Sequence, residues 1–491
     1  MKKLLYSAIT GMKSTKLIEL LKAFKEKEFL SLENFIASPY FNKNENVVTL
    51  FSTLKKYYPD FENEELDKEK IIVKVFGKKK YDDEKMRTLI SALMKLIKKY
   101  LVQLELEQRK WEADIFLLAQ LSKKNQEILF EYEHKKAEAY VEENLYRERD
   151  YYFAKFSQAT EYFFFIYSGI KDKKKETEII ESLASNFERF MFFEIMDTNY
   201  QMLTRKMRMN YQPKYLLLDY FKRRIESGEY SDTPLLLLKY YGFLCIEDKD
   251  KEEYFEKYQR LFLENFDKIS GFERSSIILG LLNYCTLAIV REKRAYAEKS
   301  FELYKFALEK NLFFHSNKFF LPLLFFNIVK CSLFLGEQKW CFNFIFDYRS
   351  KIAPHLRKNE VNISFAAYYV ERKEYEEALK HINKVNPATD ILKLEVRRVS
   401  SQIFYGLDYV ENVYSTVDSI KYFLKNRNTL ANHITESAKR YVKYMPRLIE
   451  LKQMPDKYEL EYLKKEILED KQIGMQMQKW FKERIEELLK K

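Results

Sequence analysis

Apolar residues recur along this chain at the three- and four-residue spacing of amphipathic helices, and polar residues fill the positions between them. In residues 1–110 this pattern predicts a compact helical domain, whose second helix ends at Ser38-Pro39 because the residue before a proline avoids the α conformation. The longest helix there starts at Asp82 or Asp83 and continues to about Leu106. Its predicted core face holds Met86, Leu89, Leu93, Leu96, Ile97, Tyr100 and Leu104.

The rest of the chain divides by helix length into three further regions. Residues 111–232 predict long helices without a fixed period, and residues 233–455 predict shorter helices that follow one another in pairs. The first helices of these pairs are expected to begin near Thr233, Glu273, Asn317, Asn359 and Ile391. Residues 456–491 predict two last helices, which suit the cap of an open array. The apolar face of the final helix comprises Ile473, Met477, Trp480, Phe481, Ile485 and Leu488.

Residues 359–425 contain the same pattern twice. A displacement of 34 residues places Tyr375 on Tyr409, and each copy predicts a helix, a short polar break and a second helix. The same displacement pairs Leu379 with Val413, Tyr369 with Ile403, Phe365 with Val399 and Ala366 with Ser400. A repeat of this length that builds one helical hairpin indicates a tetratricopeptide-type solenoid.

Two glycines, Gly242 and Gly280, fall inside predicted first helices of this array. A glycine within a helix costs roughly 1 kcal/mol relative to alanine. Hairpins of this type need small residues where their helices cross closely. We therefore interpret both glycines as sites of close packing.

The repeated segment also carries a family resemblance. Its order of large, small and aromatic residues on the first helix, then small and large on the second, resembles the tetratricopeptide consensus, with Asn362 and Asp390 where that consensus has tryptophan and proline. The residues concerned are Phe365, Ala366, Tyr369, Ala378, Ile382 and Val385. The wider chain resembles a group of uncharacterised bacterial tetratricopeptide-like proteins over Ser38–Asn42, Arg87–Leu101, Ile403–Tyr405, Tyr422–Leu424 and Lys479–Phe481. This resemblance implies an all-α helical-hairpin solenoid with an N-terminal helical domain, and no known activity.

Composition supports an all-helical protein and narrows its chemistry. Ten glycines and nine prolines in 491 residues are too few for a turn-rich β architecture. The four cysteines stand far apart without a C-x-x-C pair, which favours buried thiols over a disulfide framework or a zinc site. No apolar run reaches 18 residues, so we expect a cytoplasmic protein that makes no contact with a membrane. Either Met1 or Met12 fits as the initiator, since the apolar stretch after Met1 is short and lacks a signal-peptide cleavage site.

Catalytic motifs are absent from the sequence. It lacks the glycine-rich phosphate loops, the H-E-x-x-H zinc motif and the G-x-S-x-G nucleophile elbow. Carboxylate pairs such as Glu376-Glu377 and Glu486-Glu487 lie on hydrophilic helix faces, whereas acid–base catalysis needs a desolvated group to separate two pKa values. We therefore expect no enzymatic activity, no cofactor and no metal.

The favoured function is that of an adaptor for another protein. Stacked hairpins leave a concave surface lined by first helices, which can hold a peptide or a partner helix. In the predicted register this partner groove is lined by Lys239, Phe243, Ile277, Ile363, Ala367, Val370, Arg397, Ser401 and Phe404. The alternative is that the array closes on itself and buries these side chains.

The second interpretation is a nucleic-acid-associated regulator. Residues 67–101 predict a helix, a turn and a longer helix, which is the outline of a helix-turn-helix. Residues 1–110 also carry 23 Lys and Arg against 16 Asp and Glu. The candidate contacts are Lys78, Lys79 and Lys80 in the turn, with Arg87, Ser91, Lys95 and Lys98 on one face of the longer helix. The alternative is an ordinary solvated helix face, in a chain whose net charge of +12 arises from mixed signs.

Overall fold

A computed structural model describes most of the chain, and over the described residues the protein is all-α, as predicted. The described residues are 15–62, 66–77, 82–167, 173–208, 211–290, 294–314, 319–321, 324–426, 430 and 432–490. Outside them lie Met1, Met12, Lys78, Lys79 and Lys80. Within them there is no β-strand, and one isolated antiparallel bridge pairs Phe314 with Phe320.

The chain divides into two compact units. The first comprises Met1–Val141 and Ser157–Asp172, and the second comprises Glu142–Phe156 and Lys173–Lys491. The division does not coincide with the predicted boundaries at 110 and 232. The helices that begin in the first unit are α1 (Lys16–Lys22), α2 (Glu26–Ala37), α3 (Glu45–Lys55), α4 (Lys68–Phe76), α5 (Asp83–Gln108), α6 (Lys110–Lys123) and α7 (Glu127–Asn144). Helix α8 (Arg149–Tyr167) contributes to both units.

Helices α1 to α5 enclose the core that the apolar spacing predicts for the first unit. Asp67 and Asp82 are the N-caps of α4 and α5, and each side chain accepts a hydrogen bond from a backbone N–H in the first turn. The predicted core face of α5 is buried, with Leu104 partly so. The Tyr100 hydroxyl donates to the carbonyl oxygen of Glu28 at 2.9 Å, which fixes α5 against α2. Helices α4 and α5 both pack on α3.

The second unit continues with a long helix and a series of shorter ones. These are α9 (Lys173–Arg208), α10 (Leu218–Glu226), α11 (Pro234–Glu247), α12 (Glu252–Glu264), α13 (Gly271–Val290), α14 (Ala295–Glu309), α15 (Leu324–Phe334), α16 (Gln338–Tyr348), α17 (Pro354–Glu371), α18 (Tyr375–Ile382), α19 (Asp390–Gly406), α20 (Val410–Lys425), α21 (Asn432–Gln453), α22 (Lys457–Glu469) and α23 (Met475–Leu489). The predicted starts of α11, α13 and α19 agree with the structure within two residues. Helix α17 begins five residues earlier than predicted, and the start predicted for α15, Asn317, lies outside the described residues.

Helices α11 to α20 pair as five consecutive hairpins, the number that the sequence predicts. Within each hairpin the two helices pack together, and the second helix of each pair packs on the first helix of the next, through to α21. This order of packing is the one that a helical-hairpin solenoid requires. The final helices α22 and α23 join α21 in one hydrophobic cluster, in which the whole predicted apolar face of α23 is buried.

The structural repeat is 35 residues, one longer than the predicted displacement of 34. The turns of two successive hairpins each contain a residue with positive φ, Lys373 (62°) and Asp408 (59°), and these stand 35 positions apart. The buried positions follow the same offset: Ser364 and Val399, Ala366 and Ser401, Tyr368 and Ile403, Ala378 and Val413, Ile382 and Val417. The two aligned tyrosines are therefore not equivalent, because Tyr375 is the first residue of α18 whereas Tyr409 is the N-cap of α20.

Tyr258 of α12 explains both helical glycines. Its buried ring lies between α11 and α13, and its hydroxyl donates to the carbonyl oxygen of Ile277 at 3.3 Å. A Cβ atom at Gly242 would lie 2.9 Å from the ring, and one at Gly280 would lie 2.8 Å from the hydroxyl oxygen. Both distances are shorter than a Cβ atom tolerates. The interpretation of these glycines as sites of close packing is confirmed.

Candidate functional site

The first helices α15, α17 and α19 form a surface that the chain's own last helix covers. We call this surface the inner face. Helix α23 lies across it, and a narrow cleft of about 60 Å³ remains beneath the helix. The inner face contributes Lys330, Ala367, Val370, Arg398 and Gln402 to this cleft, and α23 contributes Gln476, Met477, Lys479 and Trp480.

Lys479 fixes α23 to two helices of the inner face. Its Nζ atom donates to the carbonyl oxygens of Leu333 and Phe334, each at 3.3 Å, at the C-terminal end of α15. The same atom lies 2.9 Å from a carboxylate oxygen of Glu371 at the end of α17. Cations are favoured at helix C-termini because the last carbonyl groups have no partner within the helix. Lys479 thus acts as a shared cap for α15 and α17.

Apolar and aromatic contacts fill the centre of the interface. The Trp480 ring meets the Tyr405 ring edge-on, with centroids 5.5 Å apart. The Met477 sulfur lies 3.9 Å from Nε2 of Gln402. All four side chains are buried. The inner face therefore binds a helix through an apolar centre and a charged edge.

The far end of α23 reaches the turn between α17 and α18. Lys373 in this turn forms an ion pair of 2.7 Å with Glu487. Arg484, which is buried, donates to the Tyr375 hydroxyl at 2.9 Å. These contacts extend the interface over most of the length of α23.

The predicted groove residues from the first two hairpins do not line an open surface. Phe243 and Ile277 are buried between helices. Lys239 is largely buried and lies 2.8 Å from both Asp197 and Glu273. Burial acts to lower the pKa of Lys239, but the two carboxylates outweigh it and raise that pKa. These side chains hold α9, α11 and α13 together, so the groove prediction is corrected here.

The predicted groove residues of α17 and α19 divide into covered and buried positions. Ala367 and Val370 line the cleft beneath α23, on the predicted surface. Ile363 and Ser401 are completely buried, so they are not available to a guest. Phe404 packs against the hydrophobic cluster of the C-terminal helices. Over α17 this surface is covered by the chain's own helix α23.

Arg397 is displaced from the predicted groove by the one-residue difference in the repeat. Its Nε atom donates to the Ser419 hydroxyl at 2.8 Å, and its guanidinium lies over the Phe423 ring at 4.9 Å. Both partners belong to α20, so Arg397 faces its own hairpin. The residues of α19 that line the cleft are Arg398, Val399 and Gln402. An offset of 35 residues instead of 34 from Ile363 and Ala367 would have selected Arg398 and Gln402.

A wider cavity of about 280 Å³ opens beside the N-terminal end of α23. Its walls are mainly apolar, with Ile289, Leu394, Ile420, Ile434, Tyr441 and Ile473 among them. Three charged side chains, Lys330, Glu395 and Arg398, also line it. Nε2 of Gln476 donates to the Lys330 carbonyl oxygen at 3.0 Å and ties α23 to the cavity edge. An apolar cavity with a few convergent polar groups is typical of a ligand-binding site.

The charged group in the cavity is centred on Glu395. A carboxylate oxygen of Glu395 lies 3.1 Å from Lys330 Nζ, and the other pairs with Arg398. Burial acts to raise the pKa of Glu395, but Arg398 and Lys330 together outweigh it and lower that pKa. Glu360 occupies the equivalent position on α17, and there burial outweighs the influence of Lys330 and raises the pKa to about 6.

Sequence reasoning missed this charged group, although the chain carries a signal for it. Lys330 is the single charged residue of α15, a helix that is otherwise almost entirely apolar. A lysine in such a helix needs a buried partner, because an unpaired buried charge is costly. Glu395 and Arg398, three residues apart on α19, supply the partner and its second cation.

The first unit places four predicted nucleic-acid residues on one groove of about 550 Å³. The groove brings together Lys16, Arg87, Ser91, Lys95 and Lys98 over an apolar floor of Leu17, Ile90 and Met94. Arg87 pairs with Asp83 at 2.5 Å. Lys16, Lys95 and Lys98 form no ion pair with any residue that the structure describes. The groove therefore carries uncompensated positive charge.

The charges at the start of α5 differ from those expected of a DNA-reading helix-turn-helix. Such a motif contacts base edges with the N-terminal residues of its second helix. The first turn of α5 is acidic, with Asp83 and Glu84, and its Lys85 is paired with Asp82 at 3.2 Å. The free lysines lie further along the helix. This arrangement favours contact with a polyanion backbone over base readout.

Three searches across the described residues and the sequence give no further assignment. Among the residues that the structure describes, no three His, Cys, Asp or Glu side chains are placed to hold a metal ion. Every helix in the described ranges falls short of the length or hydropathy of a membrane span. Comparison of the chain with protein-family models, with curated proteins and with solved structures finds no match.

Proposed function

We propose that this protein is a non-catalytic cytoplasmic scaffold of the helical-solenoid type, which binds an amphipathic helix of a partner protein on its inner face. The observation that carries the proposal is the seating of α23, because it demonstrates the chemistry by which this face holds a helix. Met477 and Trp480 supply the apolar stripe of that helix, and Lys479 supplies the basic edge. A partner helix with the same pattern would make the same contacts.

Binding of such a partner competes with α23. The contacts that hold α23 at its edges, including the Lys373–Glu487 ion pair, are partly exposed to solvent. An exposed pair of this kind contributes little to stability, typically below about 1 kcal/mol. The edge can therefore open before the apolar centre does, which gives a partner helix its point of entry.

A crosslink that holds α23 in place tests the proposal. The double variant Lys373→Cys with Glu487→Cys puts two exposed thiols at the ends of the present ion pair, where a short bis-maleimide reagent can join them. Proteins from the source cell are captured on the unlinked and linked forms and compared quantitatively, and the strongest partner is then purified and titrated. We expect crosslinking to weaken binding by at least tenfold, since the inner face is then closed.

The matched controls are the two single-cysteine variants treated with the same reagent, which alkylates them without closing the interface. They should bind the partner like the untreated protein. Equal binding by the linked and unlinked double variant would contradict the proposal, as would the absence of any partner that distinguishes them.

A second candidate function rests on the basic groove of the first unit. Lys16, Lys95 and Lys98 carry charge that no described residue compensates, which favours a nucleic-acid backbone as the ligand. Each phosphate that a lysine neutralises adds about 1 to the slope of log K against log salt.

Single charge reversals distinguish a groove contact from general attraction. Lys98 lines the groove, and its neighbour Lys99 is exposed but lies outside the lining. We expect Lys98→Glu to lower the salt slope for a DNA duplex by about 1 or more, and Lys99→Glu to leave it nearly unchanged. Equal losses in both variants, or no salt-dependent binding by the natural protein, would contradict a nucleic-acid interface in this groove.

A further inference from the structure

Two cations, Lys330 and Arg398, line the cavity beside α23 and share one carboxylate. Arg398 pairs with Glu395 through its terminal nitrogen, while its Nε–H group is buried and meets no hydrogen-bond partner among the described residues.

The charged side chains that line the cavity favour an anion as the ligand. Lys330 and Arg398 share the single carboxylate of Glu395, so these three side chains keep one net positive charge. Glu360, the other acidic group that acts on Lys330, does not line the cavity. An anionic ligand group beside Lys330 and Arg398 would balance this charge.

The remaining walls define the rest of the ligand. Apart from the charged group, the cavity is bounded mainly by aliphatic side chains such as Leu394, Ile420 and Ile473. Its volume of about 280 Å³ corresponds to roughly nine water molecules at about 30 Å³ each. This size suits a ligand of about ten non-hydrogen atoms with one polar end.

We propose that this cavity binds a small amphipathic carboxylate, with its carboxylate at Arg398 and Lys330 and its aliphatic chain along Leu394, Ile420 and Ile473. The proposal concerns a small molecule and does not depend on the binding of a partner helix. Met475, Gln476 and Met477 of α23 also border the cavity, so the ligand would contact the N-terminal end of that helix.

Calorimetric titration of the full chain with octanoate tests the proposal, with octylamine as the probe of opposite charge. We expect saturable binding of octanoate with one site per chain, and at least tenfold weaker binding of octylamine. Arg398→Gln should raise the Kd for octanoate by about tenfold or more, which corresponds to the loss of one charge-assisted hydrogen bond.

Two further variants separate ligand binding from general effects on the fold. Ile289→Trp fills the cavity from a half-buried position, and it should abolish octanoate binding while the helical content is retained. Arg397→Gln changes the neighbouring arginine, which faces α20, and it should leave the Kd unchanged. Equal affinity for octylamine, or a Kd that neither Arg398→Gln nor Ile289→Trp alters, would overturn the proposal.

Discussion

At the scale of single residues, the second unit depends on one tyrosine placed between two glycines. Tyr258 fills the space that a side chain at Gly242 or Gly280 would need, and its hydroxyl is bonded to a helix carbonyl group. Alanine is otherwise the better helix former by about 1 kcal/mol. The two effects oppose each other, and the clash is the larger, since inserting a methyl group into a packed core costs about 1–3 kcal/mol.

We therefore expect Gly242→Ala and Gly280→Ala each to lower the free energy of unfolding, by about 1–2 kcal/mol in urea titrations. Gly271→Ala is the matched control, because a Cβ atom there meets nothing within 4 Å, and it should change stability by less than about 0.5 kcal/mol.

The geometry also predicts a specific rescue. At Gly280 the closest atom is the Tyr258 hydroxyl oxygen, whereas at Gly242 it is a ring carbon that phenylalanine retains. Tyr258→Phe should thus relieve part of the loss in Gly280→Ala and little of the loss in Gly242→Ala. A double-mutant cycle that finds the same coupling at both glycines would contradict this placement of the ring.

Glu360 gives stability a pH dependence. Burial raises the pKa of this carboxyl to about 6, above its ordinary value, so the folded protein binds more protons than the unfolded chain between about pH 4.5 and 6. The stabilising contribution of Glu360 is present at acidic pH and is lost as the pH rises through about 6. We expect Glu360→Gln to gain stability relative to the natural protein by about 1–2 kcal/mol between pH 4.5 and pH 7.5.

Denaturant titrations at the two pH values measure this difference. Glu376→Gln, which alters an exposed carboxylate on α18, serves as the control and should show the same pH dependence as the natural protein. A constant stability difference between Glu360→Gln and the natural protein across this range would show that Glu360 ionises normally.

The limits of sequence reasoning are also visible at this scale. The spacing of apolar residues identified the buried face of α5 and of α23 correctly, because burial of one helix face follows directly from amphipathicity. The identity of the groove residues on α19 depended on a register, and matching tyrosines suggested an offset one residue short. Arg397 was chosen where Arg398 lies, and a one-residue step on a helix turns a side chain by about a quarter turn or more.

At the scale of elements, α23 is held by the helix ends that it covers. Lys479 donates to two carbonyl groups at the end of α15 and pairs with Glu371 of α17. The Leu333 carbonyl group also accepts from the backbone N–H of Gly336. Bonds of a cation to buried or half-buried oxygens stabilise more than exposed ion pairs do. The anchoring of α23 therefore depends on Lys479 more than on the half-exposed Lys482 of the same helix.

Lys479→Met should destabilise the protein by about 1–2 kcal/mol, because the Phe334 carbonyl group loses its donor, the Leu333 carbonyl group loses one of two, and Glu371 loses its cation. Lys482→Met, which alters a half-exposed lysine on the same helix, should cost less than about 0.5 kcal/mol. Hydrogen exchange of residues 475–489 should become faster in the first variant and stay the same in the second. Unchanged exchange in Lys479→Met would show that α23 is anchored by other contacts.

Element positions were predictable where a cap or a proline marks them. Asp67 and Asp82 begin α4 and α5 as expected, and Ser38-Pro39 follows the end of α2. The docking of α23 on the inner face was not predictable, since an amphipathic pattern shows that a helix buries one face but not against which neighbour. Lys330, the single charged residue of α15, was the available clue to the charged group around Glu395.

At the scale of the whole molecule, the chain holds two compact units, with one hydrophobic cluster within residues 17–100 of the first and another within residues 394–488 of the second. A chain with two compact units is not expected to unfold in the single cooperative transition that is typical of small domains. Scanning calorimetry should therefore give a calorimetric enthalpy larger than the van't Hoff enthalpy.

Two core variants assign the transitions. Leu50→Ala removes a fully buried side chain from the core of the first unit. It should lower the midpoint temperature of only one transition, by an amount equivalent to about 2–5 kcal/mol of stability. Gly242→Ala, which introduces a clash within the second unit, should lower the midpoint temperature of only the other transition. One two-state transition that both variants shift equally would contradict independent unfolding of the two units.

The all-α fold class could be predicted from the sequence, because glycine and proline are few and the apolar residues keep a helical spacing along the chain. These two features leave few alternative fold classes. The proposed function could not be predicted in this way, because the proposal depends on what occupies the inner face. The array pairs its helices as the repeat predicts, and the chain then supplies its own helix to the surface that those pairs create. Competition for this surface links the fold to the proposed scaffold function.

A distance measurement between spin labels at Lys373→Cys and Glu487→Cys tests most directly whether α23 occupies the inner face. The two natural side chains meet at 2.7 Å, so we predict a single narrow distance distribution at the short end of the measurable range for double electron–electron resonance. A broad distribution, or one centred at long distances, would contradict the seating of α23 and with it the proposed use of the inner face.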